Sequence, residues 1–398
     1  AGHGPASIIM ILPNATLGVL GGGQLGRMFT LAAISMGYRV VVLDPDPHSP
    51  AGTIADQHIK ADYRDHAALQ LLGDACAAVT TEFENVPAES MEFLETLCAV
   101  RPHADSVRIA QDRIREKTFV QEQGLATAAF AAIYEDADIV AAMQTLRAPL
   151  LLKTASMGYD GKGQAQVGTL AEARTAFEQL GNTACVLEER VDLEHEVSVI
   201  LARSVNGEKA SYPVGENRHV NGILDTTLVP AALPPDIARN AVDMAIQLAD
   251  AMNYCGVLAV EFFYTRQGEL LINEIATRPH NSGHYTVDAC ATSQFEQQVR
   301  MMCGLPPGDT RSLSPVVMTN LLGDIWQQGE PDWQVVLTEA NAHLHLYGKN
   351  EARPGRKMGH INCIADDIEQ ALATTCLLYT SDAADESSRG WSSEGAGS

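Results

Sequence analysis

Glu261 and Glu274 sit on the two arms of a hairpin spelled out by residues 256–274, Gly-Val-Leu-Ala-Val-Glu-Phe-Phe-Tyr-Thr-Arg-Gln-Gly-Glu-Leu-Leu-Ile-Asn-Glu. Both arms are β-branched, aromatic or aliphatic, and Gln267-Gly268 forms the turn between them. A two-residue turn pairs Arg266 with Glu269, and five steps back along each arm Glu261 then faces Glu274. Cross-strand Cβ atoms lie roughly 5 Å apart, where like charges repel. A divalent cation reverses the sign of that contact, because hard cations take carboxylate oxygens. The other reading is a solvated strand face carrying two unrelated acids. A turn one residue longer would spoil the register.

At 398 residues the chain exceeds the usual size of one domain, so two or three are expected. It carries 27 basic and 50 acidic side chains, a net charge of −23. A field of that sign repels phosphate backbones and argues against a nucleic-acid partner, while a local basic pocket could still take a small anion. The 8 cysteines are scattered without a CxxC pair, which points to a reducing compartment. No apolar run reaches the roughly 18 residues of a membrane helix. No basic segment precedes an apolar core as in a signal peptide. The expected location is cytoplasmic, with no membrane partner.

Residues 1–9 read as a remnant ahead of a natural start at Met10. Strands at Leu17–Leu20, Arg39–Leu43 and Ala77–Thr81, with a helix from about Gln24 to Met36, follow a βαβ rhythm and imply a parallel sheet. The reading is a Rossmann-like domain over 10–124, closed by a connecting helix at 111–123. A small α/β unit over 125–187 has its own glycine-rich loop, and a larger α+β domain covers 188–376. From residue 377 the chain becomes rich in Ser, Gly and acids with no apolar periodicity. Residues 377–398 are expected to be a disordered, non-native tail.

Gly21-Gly-Gly-Gln-Leu-Gly26 fits G-x-G-x-x-G between a strand and a helix, and Asp44 follows 23 residues after Gly21. Taken alone this is a dinucleotide fingerprint, with the acid on a ribose. Helix-start amides hold any anion, however, and a purely structural tight turn is a third reading. Further on, Pro149-Leu-Leu-Leu-Lys153 is an apolar strand ending in a lysine, and Gly158, Gly161 and Gly163 follow within six residues. Such a loop lets amides approach phosphate oxygens, which Lys153 would also reach. The alternative is a plain hairpin tip at Asp160-Gly161. The strand 184–191 turns polar at its end, an edge able to meet an adenine.

These pieces in this order resemble the ATP-grasp superfamily. Within it the chain is similar to the N5-carboxyaminoimidazole ribonucleotide synthetases of purine biosynthesis. The motifs are GGGQLGRM (21–28), LDPDP (43–47), EFENVP (82–87), GYDGKGQ (158–164), NGILDTTLVPA (221–231), INEIATRPHNSGH (272–284) and ARPGRKMGHI (352–361). They span roughly residues 15–365. One departure is Thr277, where the family usually has proline.

The resemblance implies an ATP-grasp fold and a set of roles. Arg113 and Lys153 would contact the triphosphate. Gly158, Tyr159, Asp160, Gly161, Lys162, Gly163 and Gln164 would form the lid loop. Glu188, Glu189, Arg190 and Val191 would grip adenine, with Glu196 on the ribose, His219 nearby and Asn273 in the same pocket. Glu261 and Glu274 would hold magnesium. Arg278, His280, Asn281, Lys349, Arg356 and Lys357 would form the ribonucleotide pocket, closed from the first domain by Gln24 and Glu82. The concentration of Lys349, Arg353, Arg356 and Lys357 within nine residues of an acidic chain favours a phosphate pocket over a solvated pair. The resemblance also implies a homodimer.

The implied reaction joins bicarbonate to the amine of 5-aminoimidazole ribonucleotide, with ATP cleaved to ADP and phosphate through carboxyphosphate. Lys153 and Arg278 carry the chemistry in this reading, Arg278 as a guanidinium fork for bicarbonate or carboxyphosphate. A rival is another acyl-phosphate ligase of the superfamily, such as a formate-dependent glycinamide ribonucleotide transformylase. A dinucleotide oxidoreductase built on Gly21–Gly26 and Asp44 leaves the lid loop and the acidic hairpin unexplained. A catalytically silent nucleotide-binding regulator has no need of every charged group retained here.

Overall fold

The computed structural model describes residues 10–156 and 163–382. Residues 1–9, the lid-loop residues Gly158, Tyr159, Asp160, Gly161 and Lys162, and residues 383–398 lie outside the described residues.

The first domain is a five-stranded parallel sheet in the order Gln57–Ile59, Arg39–Leu43, Thr16–Leu20, Ala78–Thr81, Ala99–Val100. Its central strands read as unbroken apolar runs because helices cover both faces. One face packs on the helix Gln24–Ser35 and the other on His66–Ala75 and Ala88–Glu95. The helix Arg113–Glu122 leads out of this domain. Asp112 caps it, its carboxylate accepting from the amides of Ile114 and Arg115.

The small unit is a four-stranded antiparallel sheet in the order Phe130–Ile133, Cys185–Glu189, Leu150–Thr154, Gln164–Val167, backed by two helices. The expected boundary at 187 falls inside its strand Cys185–Glu189, so Glu188 and Glu189 belong to the lid sheet rather than to the following domain.

The large sheet has nine strands. Eight run Leu270–Ala276, Gly256–Thr265, Leu193–Arg203, Gly215–Val220, Ile223–Val229, Val316–Leu322, Lys357–Ile364, Ala342–Leu346, and Lys209–Ser211 pairs beside Leu193–Arg203. Alternation along the strands separates two faces. Val197, Val199, Leu258, Val260 and Phe262 face the amphipathic helix Pro235–Ala251 in the largest core cluster. The opposite face carries a polar stripe: Glu274, Glu261 and Ser198 are register partners, as are Glu196, Asn217 and Thr227, and likewise Asn320, His360 and His345.

The last helix, Ile368–Asp382, runs six residues into the stretch expected to be disordered. Leu378 explains the extension: it is buried with Leu321, Val336, Ile361 and Cys363. All 8 cysteines are free. Among the described residues no helix is long and apolar enough to cross a membrane.

Candidate active site

Glu261 does face Glu274, although by a different route from the simple hairpin. Thr265 and Glu269 close the turn, so three residues lie between them, with Gly268 at φ 81°. Tyr264, Phe263 and Phe262 accordingly pair with Leu270, Leu271 and Ile272. Continued unbroken, that register would set Glu261 against Asn273 and turn Glu274 into the apolar core. A β-bulge between Glu261 and Phe262 absorbs Asn273 as the extra residue and returns Glu274 to the polar face.

The two carboxylates are unequal. The Glu261 side chain is 17% exposed and that of Glu274 51%. Burial, then the charge of Glu274, pushes the Glu261 carboxyl up to about 7. A third acid, Glu116, is buried and accepts from the amide of Ile275 at 2.5 Å. Burial and Glu274 push it up to about 8. This concentration of negative charge is what a divalent cation would relieve, so the hairpin fits such an ion. Among the described residues no cluster of three or more His, Cys, Asp or Glu could hold one unaided. Two carboxylates suit a cation that completes its shell with phosphate oxygens.

Arg113, at the start of its helix, ties this hairpin to the lid. Its guanidinium donates to the carbonyl of Thr154 at 3.2 Å and lies 3.9 Å from Glu274 Oε2. One helical turn on, Lys117 is buried, with Nζ 3.3 Å from Glu188 Oε1; Lys153 donates to the other oxygen of Glu188 at 3.0 Å. The Glu188 side chain therefore clasps two lysines, and whatever the segment offers an adenine comes from elsewhere on it. Glu189 accepts from the amide of Arg147, and Arg190 is exposed. On the sheet, Glu196 Oε2 is 2.8 Å from His219 Nδ1. Burial opposes the charged imidazole, but Glu196 raises it above the ordinary histidine range.

On the far side of Glu261, His280 Nε2 is 3.4 Å from Glu261 Oε1 and its Nδ1 is 2.9 Å from Ser282 Oγ. Burial, with the nearby cations, drives His280 well below the ordinary range, so it is neutral. The Asn281 amide is buried, and neither its oxygen nor its nitrogen has a hydrogen-bond partner within the protein. Arg278 donates to Glu84 Oε2 at 2.6 Å and to the carbonyl of Pro279. Lys349 donates to Gln24 Oε1 at 2.6 Å and to the carbonyl of Lys357 at 2.5 Å. Lys357 lies within electrostatic reach of Glu261, His219, His280 and Glu84. The basic segment thus divides: Lys349 and Lys357 face the cleft, Arg356 donates to the carbonyl of Glu351, and Arg353 is exposed beside Glu351.

The first glycine loop is not an external anion site. Glu82 accepts from the amides of Gly23 and Gly26 at 2.6 and 3.0 Å, and Asp44 accepts from Gly22 at 2.6 Å. A Cβ on Gly21 or Gly23 would meet Glu82 at 2.7 Å. The helix-start donors are satisfied by the protein's own carboxylates. Asp44 also accepts from Tyr63 Oη, which removes the ribose role and with it the dinucleotide reading. Glu82 is spent on this loop, and Gln24 reaches the cleft through Lys349.

Three family models match the chain: a ribonucleotide synthetase preATP-grasp domain over residues 14–111, an ATP-grasp domain over 118–295, and a phosphoribosylaminoimidazole carboxylase C-terminal domain over 316–374. The N5-carboxyaminoimidazole ribonucleotide synthase of Bacillus subtilis (strain 168) is 44% identical over 352 residues, covering 88% of this chain and 92% of that one. The chain belongs to the N5-carboxyaminoimidazole ribonucleotide synthase family. The Brucella melitensis synthase is 44% identical, over 88% of this chain and 97% of its own. A synthetase of this family solved with ADP superposes with a TM-score of 0.89 at 42% identity, covering 94% of this chain and 99% of that one. The Aspergillus clavatus synthase in complex with ADP and 5-aminoimidazole ribonucleotide gives 0.86 at 30% identity, with the same coverage. Membership makes the chain an ATP-dependent carbon–nitrogen ligase with the ATP-grasp fold.

Three residues of this candidate site escaped the sequence reading, Glu84, Glu116 and Lys117, and so did the bulge at Asn273, a residue the resemblance places in the nucleotide pocket. Lys117 was within reach, since it stands four residues after Arg113 on one helical face.

Proposed function

We propose that this chain catalyses the ATP-dependent carboxylation of 5-aminoimidazole ribonucleotide by bicarbonate, releasing ADP, phosphate and N5-carboxyaminoimidazole ribonucleotide. The observation that carries the reading is the facing pair Glu261–Glu274, with Arg113 joining it to the lid strand on one side and His280 and Lys357 flanking it on the other. Bicarbonate is a weak electrophile. Its oxygen attacks the γ-phosphorus while the bond to the ADP oxygen breaks. The resulting carboxyphosphate loses phosphate, and the ribonucleotide amine attacks the freed carbonyl carbon and gives up a proton. The protein's task is alignment and charge neutralisation.

Glu261 and Glu274 would hold magnesium, which neutralises the β- and γ-phosphates when bound. Arg113 and Lys153 take phosphate oxygens, Lys153 being held in place by Glu188. Main-chain groups of 188–191 meet the adenine, and Glu196, His219 and Asn273 meet the ribose side. Arg278, braced by Glu84, presents its remaining donors to bicarbonate and then to carboxyphosphate. Asn281, His280, Lys349 and Lys357 take the ribonucleotide, and Arg356 joins them only on leaving the Glu351 carbonyl. The test is ADP release with each substrate omitted in turn. Release that needs both bicarbonate and 5-aminoimidazole ribonucleotide supports the reading. Release driven instead by formate and glycinamide ribonucleotide overturns it.

A further inference from the structure

Lys349 is held over an aromatic ring that no part of the mechanism uses. Its Nζ lies 5.5 Å from the centroid of Tyr347, inside the range of a cation–π contact. Gly348 between them has φ 72°, a left-handed backbone that glycine adopts without strain and that turns Lys349 back over the ring. The ring is buried and anchored at its hydroxyl. Tyr347 is 1% exposed and packs in the first-domain core with Leu25, Met28, Phe295 and Val299. Its hydroxyl meets His360 Nδ1 at 2.8 Å. His360 stacks on His345 with centroids 4.5 Å apart, and His345 Nε2 is 2.7 Å from Asp288 Oδ2.

We infer that Tyr347 is a positioning residue for the ribonucleotide half of the reaction. Its buried face supplies negative quadrupole charge beneath the Lys349 ammonium, and the hydroxyl, through His360, stops the ring from turning. Lys349 already has two oxygen partners, Gln24 Oε1 and the Lys357 carbonyl. The ring adds a third side without competing for the donors that a phosphate needs. The same ring docks the C-terminal hairpin on the first domain, so the ammonium that bridges to Gln24 is set by the contact that joins the two domains. The inference rests on assigning Lys349 to the ribonucleotide.

The test is a series of full-length variants: Tyr347→Phe, Tyr347→pentafluorophenylalanine, Lys349→Ala, and the last two combined. Pentafluorophenylalanine keeps the volume of the ring but reverses the charge on its face. The expected result is a KM for 5-aminoimidazole ribonucleotide raised roughly five- to thirtyfold over Tyr347→Phe, the span of a partly desolvated cation–π contact. The KM for ATP should move less than about twofold, and the double variant should be no worse than Lys349→Ala alone. Equal values for the two aromatic variants, a parallel rise in both KM values, or multiplicative losses in the double variant would overturn the role of Tyr347. An unchanged ribonucleotide KM in Lys349→Ala would overturn the assignment of Lys349 itself, a separate failure. Melting temperatures of the two aromatic variants show whether folding confounds the comparison.

Discussion

Arg278 and Glu84 are joined by a 2.6 Å bond across 194 residues, one in the bend that follows the strand Leu270–Ala276 of the large sheet and the other on the first domain. The pair fixes the guanidinium proposed to hold bicarbonate, and it does so from a separate domain. Substitution Glu84→Gln should lower kcat/KM for bicarbonate by roughly 10- to 150-fold, the worth of a hydrogen bond to a charged group. The KM for ATP should change little. Steady-state kinetics with each substrate varied checks both.

The same pair carries a pH dependence. Burial alone would raise the Glu84 carboxyl, but Arg278 holds it below the ordinary glutamate range. A folded-state pKa that is depressed contributes stability above the unfolded value of about 4.3 and loses it as pH falls through the folded value. Acid denaturation of the parent should therefore steepen below about pH 4, and Glu84→Gln should flatten that limb while leaving the neutral region parallel. Equilibrium melts from pH 3 to 7 measure it.

Lys117 and Glu188 have side chains 3% and 2% exposed. Replacing Lys117 with Met leaves Glu188 with Lys153 alone and should destabilise the fold by about 3–5 kcal/mol, the scale for breaking a buried ion pair. If Glu188 positions Lys153, the KM for ATP should also rise more than that for the ribonucleotide. Denaturant titration and kinetics separate the two effects.

The bulge at Asn273 offers a test of register. Inserting an alanine between Asn273 and Glu274 moves Glu274 one step, opposite Val260 on the apolar face, and should abolish activity along with much of the stability, whereas deleting Asn273 leaves Glu274 opposite Glu261. Asn273→Ala keeps the register and should keep a melting temperature within a few degrees of the parent. An insertion variant with parental activity would contradict the pairing.

Much of the site was legible because it is local. The βαβ rhythm, the strand ending at Lys153 and the acidic hairpin are each written in a short window of sequence. Glu261 opposite Glu274 was reached through a two-residue turn, whereas the chain uses three residues and a bulge, two deviations of one step that cancel. Neither can be read from alternation, because Asn273 occupies a bulge without a distinctive side chain. The glycine loop misled for another reason. Its amides do bind carboxylates, but those of Glu82 and Asp44, which come from neighbouring strands of the parallel sheet. Glu84 was missed although it stands two residues from Glu82, because its partner Arg278 is brought near only by the packing of two domains. Only the first six residues of the expected tail fall among the described ones, and they continue the last helix because Leu378 had a core to enter.

The central claim is that Glu261 and Glu274 together hold a divalent cation on the outer phosphates of ATP. Electron paramagnetic resonance titration of Mn²⁺ into the ATP-saturated protein, parent against Glu261→Gln and Glu274→Gln, tests it most directly. Each variant should weaken Mn²⁺ binding by at least roughly tenfold, the scale on which even outer groups of metal sites matter, with circular dichroism unchanged. Parental Mn²⁺ affinity in both variants would contradict the account.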